Sequence, residues 1–356
     1  MGLPGWLGGM GEEDKELRVA KVVSCFEGGV EYEEARKILS KYGWEVDRAK
    51  DELTVIRGAQ DGLLIPLSMR APELLGAENS GNSCYLDSLL MAIFANSDKY
   101  DYLITVFNEH SKRLASLLRL FVNKIRMGLK VEKETVKEFL SELVELGWRG
   151  SSTQEDASEL FIFLMELLKA PALETCEQLH HGALPDEDVD DKKVVDRMIM
   201  LGITEGDERL DLLQLIRREL HETVIEDLSR EVFASSTGGD KRSVLVNAWK
   251  TVTVADSPLN MLPILLKRSG GSKRPVSIPL EIDSSQLVGS NSQMRRSWRL
   301  RSAVCHLGSS SSCGHYITFL FNEDGTCSRW DDLRGFSESR ADAKELETSS
   351  YLLFYE

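Results

Sequence analysis

Apolar residues recur at helical spacing through the first part of the chain. Between residues 12 and 57 they fall every three or four positions, and glycine interrupts the pattern at Gly28-Gly29 and within Tyr42-Gly43-Trp44. Glycine readily takes the positive φ that ends a helix. The pattern therefore predicts a bundle of three short helices over residues 12–57. Residues 58–76 contain Pro66, Pro72 and little periodicity, which is typical of a linker.

The rest of the chain, residues 77–356, is predicted to form one larger domain whose two halves differ in pattern. Helical spacing dominates from Cys84 to about Pro171, whereas short runs of β-type residues dominate after Lys241. Helices first and strands later predict an α+β domain with an antiparallel sheet. The predicted strands are Val244–Val246, Thr251–Val254, Leu262–Leu266, Val276–Ile278, Trp298–Val304, Tyr316–Phe321 and Tyr351–Tyr355.

Residues 172–240 separate these two halves and are predicted to form a variable insertion. An acidic run covers Pro185–Asp191, and helical patterns follow at Val194–Leu201 and Arg209–Leu228. We therefore expect the insertion to be acidic and helical.

Composition narrows the classes of function. The chain has 356 residues, 42% of them hydrophobic, and a net charge of −15, which is the opposite of what binding to nucleic acid phosphates requires. Six cysteines without a C-x-x-C pair argue against a disulfide scaffold or a zinc ribbon, and favour a reducing intracellular compartment, the cytoplasm or nucleus. The sequence predicts neither a secretion signal nor a membrane span.

Cys84 is the strongest candidate for a nucleophile. It follows the polar turn Asn79-Ser-Gly-Asn-Ser and begins an apolar helical pattern, so it should lie at a helix N-terminus. The free N–H groups and the dipole there lower the pKa of a thiol. The amide of Asn79 is a candidate donor to an oxyanion. The alternative is a buried structural cysteine.

A thiolate nucleophile needs a base, and His315 is the best placed histidine in the sequence. It begins a strand pattern after Cys313-Gly314, and Trp330-Asp331-Asp332 follows on what should be the neighbouring strand of a hairpin. A carboxylate there would fix the imidazole tautomer and stabilise the imidazolium. The alternatives are an ordinary strand histidine and acids of a turn.

Four separated segments, in the same order along residues 75–356, resemble the ubiquitin-specific protease family of papain-like cysteine proteases. They are Asn79–Ser88, Gln154–Phe161, Leu262–Arg268 with Ile278–Leu280, and His306–Tyr316 with Trp330–Asp332 and Tyr351–Tyr355. The resemblance implies a helical thumb followed by an antiparallel β palm. It also implies hydrolysis of the isopeptide bond after the C-terminal Gly-Gly of ubiquitin, with no metal or cofactor.

The same resemblance implies roles for individual residues. Cys84 is then the nucleophile, His315 the base, Asp331 the orienting acid in preference to Asp332, and Asn79 the oxyanion donor. The residues implied to bind the substrate tail are Gln154, Asp156, Glu159, Gly314 and Tyr316. Residues 308–314 are expected to form a mobile loop over this channel. The expected partners are ubiquitin or polyubiquitin conjugates.

Departures from the family pattern leave alternatives open. Glu155 replaces a second glutamine, Ser269 stands where an aromatic is usual, and the insertion lacks zinc knuckles, so the modifier is ubiquitin or a relative such as SUMO or NEDD8. A second alternative is an inactive ubiquitin-binding scaffold. A third is a metal site formed by Cys305-His306 and Cys313-x-His315.

The N-terminal bundle carries a resemblance of its own. The stretch from Cys25 to Leu53 resembles a ubiquitin-associated (UBA-like) module. The alternative is a helical arm that only packs on the main domain. A bundle of about 45 residues has a small core and is only marginally stable alone, which is compatible with both a separate module and a packed arm.

Overall fold

The structure is a computed structural model that describes most of the chain. The described residues are 10–27, 29–67, 74–105, 111–150, 154–181, 184–185, 192–206, 208–220, 223–233, 241–254, 259–287, 296–310, 313–323, 326–338 and 343–356. None of the helices formed by these residues combines the length and the apolarity that a membrane span needs.

The described residues form ten α-helices, and eight of them lie in the first half of the chain, as predicted. They are α1 Glu12–Ser24, α2 Tyr32–Lys41, α3 Val46–Gln60, α4 Cys84–Phe94, α5 Asp101–Thr105, α6 Lys112–Arg126, α7 Lys133–Glu145, α8 Ala157–Leu167, α9 Leu212–Leu220 and α10 Ala343–Ser349.

Strands dominate the second half. They are β1 Leu173–His181, β2 Leu184–Pro185, β3 Lys192–Asp196, β4 Ile199–Ile203, β5 Leu210–Asp211, β6 Thr223–Phe233, β7 Lys241–Val254, β8 Leu262–Arg268, β9 Val276–Ser277, β10 Glu281–Asp283, β11 Ser297–Ser310, β12 Cys313–Phe321, β13 Cys327–Asp331, β14 Gly335–Glu338 and β15 Ser350–Tyr355. The α+β class is therefore confirmed.

The predicted three-helix bundle is present at the N-terminus. Gly43 and Trp44 both have positive φ, 60° and 69°, and they form the turn between α2 and α3. Side chains from all three helices form a small separate core that includes Val22, Leu39 and Leu53. Helix α3 continues to Gln60, three residues beyond the predicted end of the bundle at residue 57.

This bundle packs on the main domain through α3, which contacts α6. Glu52 is buried at the contact and accepts from Lys124 Nζ at 3.0 Å, while Lys41 and Glu132 complete the ion-pair network. Arg119 donates from Nε to the Ala59 carbonyl at 2.7 Å. The bundle is thus joined to the main domain by buried polar contacts.

The main sheet lies between two cores. Its strand order is β14-β13-β12-β11-β15-β8-β4, with β10 paired to β11. One face packs on α4, α6 and α8, and the other face packs on α9 and α10. Every residue of α4 is buried. Two sheet hydroxyls, those of Ser302 and Thr318, donate to the carbonyls of Ala92 and Ser88 in α4, at 2.6 and 2.8 Å.

The chain enters this domain across the sheet. Gly76 has a φ of 73°, and a Cβ at this position would lie 2.2 Å from Nε1 of the buried Trp330 in β13. Only glycine fits here, because both the backbone conformation and the space exclude a side chain.

The insertion is mostly sheet, so the prediction of helices over residues 172–240 is wrong in part. The run 194–201 contributes to β3 and β4, and among the described residues of 209–228 the helical part is α9, before β6 begins. A second sheet has the order β2-β1-β7-β6, with β3 paired to β1. The run 194–201 is short, and β8, the partner of its second part, lies far along the chain, so periodicity alone could not distinguish strand from helix.

Glu52→Gln should lower the free energy of unfolding by about 3 kcal/mol, the lower end for a broken buried ion pair, because Lys124 keeps Glu132. Urea unfolding of the full chain measures this. The matched control is Glu45→Gln, which removes an exposed pair with Arg48 and should change stability by less than about 1 kcal/mol. Equal effects of the two variants would contradict a stabilising role for the buried network.

Candidate active site

Cys84 is the first residue of α4, as predicted, with Ser83 in the capping position. Ser83 Oγ accepts from the backbone N–H of Ser80 at 2.8 Å and lies 2.6 Å from Oδ2 of Asp87, one turn further along the helix. These contacts tie the polar turn before Cys84 to the first turn of α4. The position of the sulfur is therefore fixed by both the helix and the turn.

The thiol of Cys84 is buried, and this reverses the predicted direction of its pKa shift. Burial raises the pKa of Cys84 to about 11, and the nearby carboxylates Asp332 and Asp87 add to the increase. Backbone hydrogen bonds at Tyr316 and Tyr85 lower the pKa but do not compensate. The prediction of a lowered pKa is wrong because the loss of water outweighs the helix N-terminus.

His315 and Asp331 are brought together by the pairing of β12 with β13, the hairpin that the sequence predicted. Nε2 of His315 lies 3.0 Å from Oδ1 of Asp331. The other oxygen of Asp331 accepts from Arg329 at 3.2 Å. Burial raises the pKa of Asp331, but hydrogen bonds from His315 and the Leu333 N–H lower the pKa by more than burial raises it. The net shift is therefore downward. Asp331 is therefore held as a carboxylate.

Asp332 also points at His315, with Oδ1 3.5 Å from Nε2, and its side chain is fully buried. Its Oδ2 accepts from Nδ2 of Asn79 at 2.6 Å. Burial raises the pKa of Asp332, in spite of the hydrogen bond from Asn79 and the proximity of His315. The two consecutive acids thus differ in distance to the imidazole and in the direction of their pKa shifts.

Asn79 lies beside Asp332, in contact with its side chain. Its Oδ1 accepts from the Gly81 N–H at 2.8 Å and its amide donates to Asp332. The amide oxygen and the amide nitrogen of Asn79 are therefore both held in place. The contact with Asp332 uses one of the two amide hydrogens, which leaves the second as a donor.

The predicted substrate residues occupy two groups. Gln154 Oε1 accepts from the Gly314 N–H at 3.1 Å, and its Nε2 is buried without a hydrogen-bond partner among the described residues. Tyr316 is buried next to these residues, and its ring lies 4.7 Å from that of His306. Gly308 pairs with Gly314 across β11 and β12. Residues 308–310 and 313–314 are therefore ends of paired strands rather than the expected loop, and residues 311 and 312 lie outside the described residues.

The other two predicted substrate residues lie at the start of α8. Asp156 caps this helix by accepting from the N–H groups of Ser158 and Glu159, and its second oxygen accepts from the Tyr351 hydroxyl at 2.5 Å. Glu159 is exposed. Asp156 thus caps α8 and holds the Tyr351 hydroxyl, whereas Glu159 faces solvent.

Sequence reasoning missed Asp87. It is fully buried, and burial raises its pKa well above the usual range, with Asp332 adding to the shift and Ser83 opposing it. A single acid within the otherwise apolar run of α4 was the available signal, since an isolated carboxyl in a buried helix needs a partner.

The structure does not bring together the metal site considered for Cys305, His306, Cys313 and His315. Cys305 and His306 are consecutive in β11 and so point to opposite faces of the sheet. Within the described part of the chain, the potential metal ligands that lie close to His315 are Asp331 and Asp332.

Comparisons with known proteins identify the family of the chain. Residues 75–355 match the family model described as "Ubiquitin carboxyl-terminal hydrolase". Ubiquitin C-terminal hydrolase 15 of Oryza sativa subsp. japonica is 24% identical over an alignment of 310 residues that covers 79% of this chain and 31% of that protein. Human ubiquitin carboxyl-terminal hydrolase 17-like protein 5 is 23% identical over an alignment of 332 residues that covers 87% of this chain and 61% of that protein. The chain thus spans less than two thirds of either relative.

The fold is similar to that of a solved structure. The match is to a chain of the SAGA Ubp8/Sgf11/Sus1/Sgf73 DUB module bound to ubiquitin aldehyde, with a TM-score of 0.60 and 15% identity. It covers 87% of this chain and 75% of that chain.

Alkylation of Cys84 by iodoacetamide should be slow at pH 7 and rise tenfold per pH unit toward pH 11. A pKa of about 11 leaves only about one thiol in 10⁴ as the reactive thiolate at pH 7. Mass spectrometry of the Cys84 peptide measures the rate, and the exposed Cys25 in the same sample is the reference for reagent reactivity. A rate for Cys84 that is already maximal at pH 7 would show a preformed thiolate and contradict the raised pKa.

Proposed function

Since the chain belongs to the ubiquitin carboxyl-terminal hydrolase family, we propose that it is a cysteine-type deubiquitinase that hydrolyses the isopeptide bond after the C-terminal Gly-Gly of ubiquitin. The observation that carries the proposal is a cysteine at a helix N-terminus, packed against the strand that bears His315, whose Nε2 lies 3.0 Å from Asp331. A nucleophile, a base and an orienting acid are the parts that acyl transfer through a thioester needs.

The proposed reaction begins with proton transfer from Cys84 to His315. Asp331 accepts from Nε2 and so leaves Nδ1 as the basic nitrogen. The raised pKa of the thiol favours a neutral thiol and imidazole at rest, so the proton moves as the sulfur attacks the carbonyl of the terminal glycine. His315 then protonates the leaving lysine amine, and water hydrolyses the thioester.

Asn79 is the proposed donor to the oxyanion of the tetrahedral intermediate. Asp332 and the Gly81 N–H hold both ends of its side chain, so the amide is oriented before the substrate binds. A donor of this kind contributes about 10² to 10³ in rate. Asp332 would act through Asn79, while Asp331 acts on His315 directly.

The residues around Gly314 support a narrow channel for the substrate tail. A Cβ on Gly314 would lie 2.4 Å from Nε2 of His306, and Gln154 accepts from its backbone. A strand without side chains near the cut fits such a channel, which is the physical reason for a Gly-Gly terminus. The DUB module similar in fold is bound to ubiquitin aldehyde, which favours ubiquitin over SUMO or NEDD8 as the modifier.

The role of the N-terminal bundle is a separate proposal. We infer that it braces α6 of the thumb through Glu52 and Lys124, the contact that the structure describes. The resemblance to a ubiquitin-associated module stays a prediction, and these contacts do not test it. Removing the bundle would also strip Lys124 and Arg119 of their partners, so a deletion could not isolate chain binding from the loss of this brace.

The purified chain should form a covalent adduct with an electrophilic probe built on ubiquitin, and not with matched SUMO or NEDD8 probes. Cys84→Ala should abolish the adduct, because the probe reacts with the nucleophile, while Cys25→Ser should leave it unchanged. Denaturing gel electrophoresis detects the product. An adduct with only another modifier would replace ubiquitin as the substrate. No adduct from folded protein that still binds ubiquitin would favour the inactive scaffold.

Asp331→Ala should reduce kcat/KM for a ubiquitin substrate by about 10³- to 10⁴-fold, since the base loses the group that fixes its tautomer. Asp332→Ala should reduce kcat/KM by about 10²-fold, because it releases Asn79 but leaves the contact of His315 with Asp331. Steady-state kinetics with a fluorogenic substrate measures both. The reverse order would assign the orienting role to Asp332.

A further inference from the structure

We propose that His315, Asp331 and Asp332 form a binding site for a divalent transition metal of the Zn²⁺ type, and that occupation of this site switches catalysis off. One donor atom from each residue lies within 4.8 Å of the other two. The inhibitory consequence rests on the proposed function, whereas the binding itself does not.

The two distances from the imidazole nitrogen to the carboxylate oxygens suit this ion, and the third separation, between the two oxygens, is within 4.8 Å. Nε2 of His315 lies 3.0 Å from Oδ1 of Asp331 and 3.5 Å from Oδ1 of Asp332. A tetrahedral zinc ion with bonds of about 2.0 to 2.1 Å holds its ligand atoms about 3.3 Å apart. One nitrogen and two carboxylate oxygens leave a fourth position for water, the pattern of zinc sites with three protein ligands. Calcium and magnesium prefer six or more oxygen ligands.

The outer contacts divide each carboxylate in a way that favours a cation between them. Oδ2 of Asp331 is taken by Arg329, and Oδ2 of Asp332 is taken by Asn79. Both Oδ1 atoms face the imidazole, and that of Asp331 also accepts from the Leu333 N–H at 3.0 Å. Hydrogen bonds to the far oxygen orient a ligating carboxylate in this manner.

An independent observation comes from the orphaned oxygen of Asp332. Its side chain is completely buried, yet Oδ1 has no hydrogen-bond partner among the described residues. A buried carboxylate oxygen without a partner carries a free-energy cost that a bound cation would remove. The side chain of His315 is 23% exposed and provides the route by which the ion reaches the carboxylates.

The mechanism of inhibition follows from the two nitrogens of the imidazole. At rest Nε2 carries the hydrogen that faces the acids and Nδ1 is free to accept a proton from Cys84. A metal ion on Nε2 takes the lone pair there, so the single hydrogen of the neutral ring moves to Nδ1. Nδ1 can then no longer act as a base. Two carboxylates and a divalent ion sum to zero charge, which suits a largely buried site.

Zinc binding is tested by titration calorimetry of the full chain carrying Cys25→Ser and Cys313→Ser, which removes the two exposed thiols. The expected result is one zinc ion per chain, with binding kept in Cys84→Ala and weakened at least about tenfold by Asp332→Asn and by His315→Ala. Glu281→Gln, which alters an exposed carboxylate elsewhere in the sheet, is the matched control and should bind as the parent does. Near-UV circular dichroism establishes that each variant is folded.

The second arm measures function separately. In the chain that carries Cys25→Ser and Cys313→Ser, zinc should slow adduct formation with the ubiquitin probe, and EDTA should restore the rate. Binding that persists in Asp332→Asn and His315→Ala but disappears in Cys84→Ala would place zinc on the sulfur and overturn the proposal, as would no binding at all. Binding with the expected variant pattern in a protein that never reacts with the probe would retain the metal site and reject the proposed function.

Discussion

The site depends on how firmly α4 is held against the main sheet. This helix carries Cys84 at its first residue and is buried along its whole length. Apolar packing fixes its distance from the sheet but leaves sliding along its axis poorly determined. The hydroxyls of Ser302 and Thr318 remove this freedom, because each donates to a carbonyl of the helix at a defined height. Since Thr318 lies three residues after His315 in β12, the same contact sets the sulfur relative to the base.

Pairing between β12 and β13 supplies the second constraint. Consecutive acids at a strand end would normally diverge, since successive side chains alternate in direction. Here Asp331 is the last residue of β13 and Asp332 begins the turn after it, so both carboxylates reach the same imidazole. Their surroundings then separate them: Arg329 and a backbone N–H hold the charge on Asp331, while burial acts against the charge on Asp332.

The sequence predicted the order and identity of these groups better than their electrostatics. Cys84 at a helix start and His315 beside a carboxylate on the next strand follow from local pattern, because turns, helix starts and hairpins are local. The direction of the thiol pKa shift does not, because it depends on burial by elements far apart in the chain. The contact of Asn79 with Asp332 spans 253 positions and left no periodic signal.

The same division explains the errors in the fold. The helices of the N-terminal bundle and the longer strands after Lys241 follow from a regular period, but the predicted strands 244–246 and 251–254 are parts of one strand, β7, and the short strands β10 and β14 are not predicted. The run 194–201 was assigned to helix because a short apolar run fits either period, and its pairing with β1 and β8 decided the outcome. Docking of the bundle rests on Glu52 and Lys124, charged residues that a hydrophobic pattern assigns to the surface.

Gly76 makes the boundary between the N-terminal bundle and the main domain intolerant of a side chain. Linkers are usually the positions where evolution or an engineer can join, lengthen or exchange domains. This linker ends on the indole of Trp330, the residue directly before Asp331, with no room for a Cβ. A side chain introduced at the seam would press on the strand that carries the acid. The N-terminal bundle and the domain that follows are therefore poorly suited to exchange as independent modules, and a fusion joint would be better tolerated upstream of the glycine than at it.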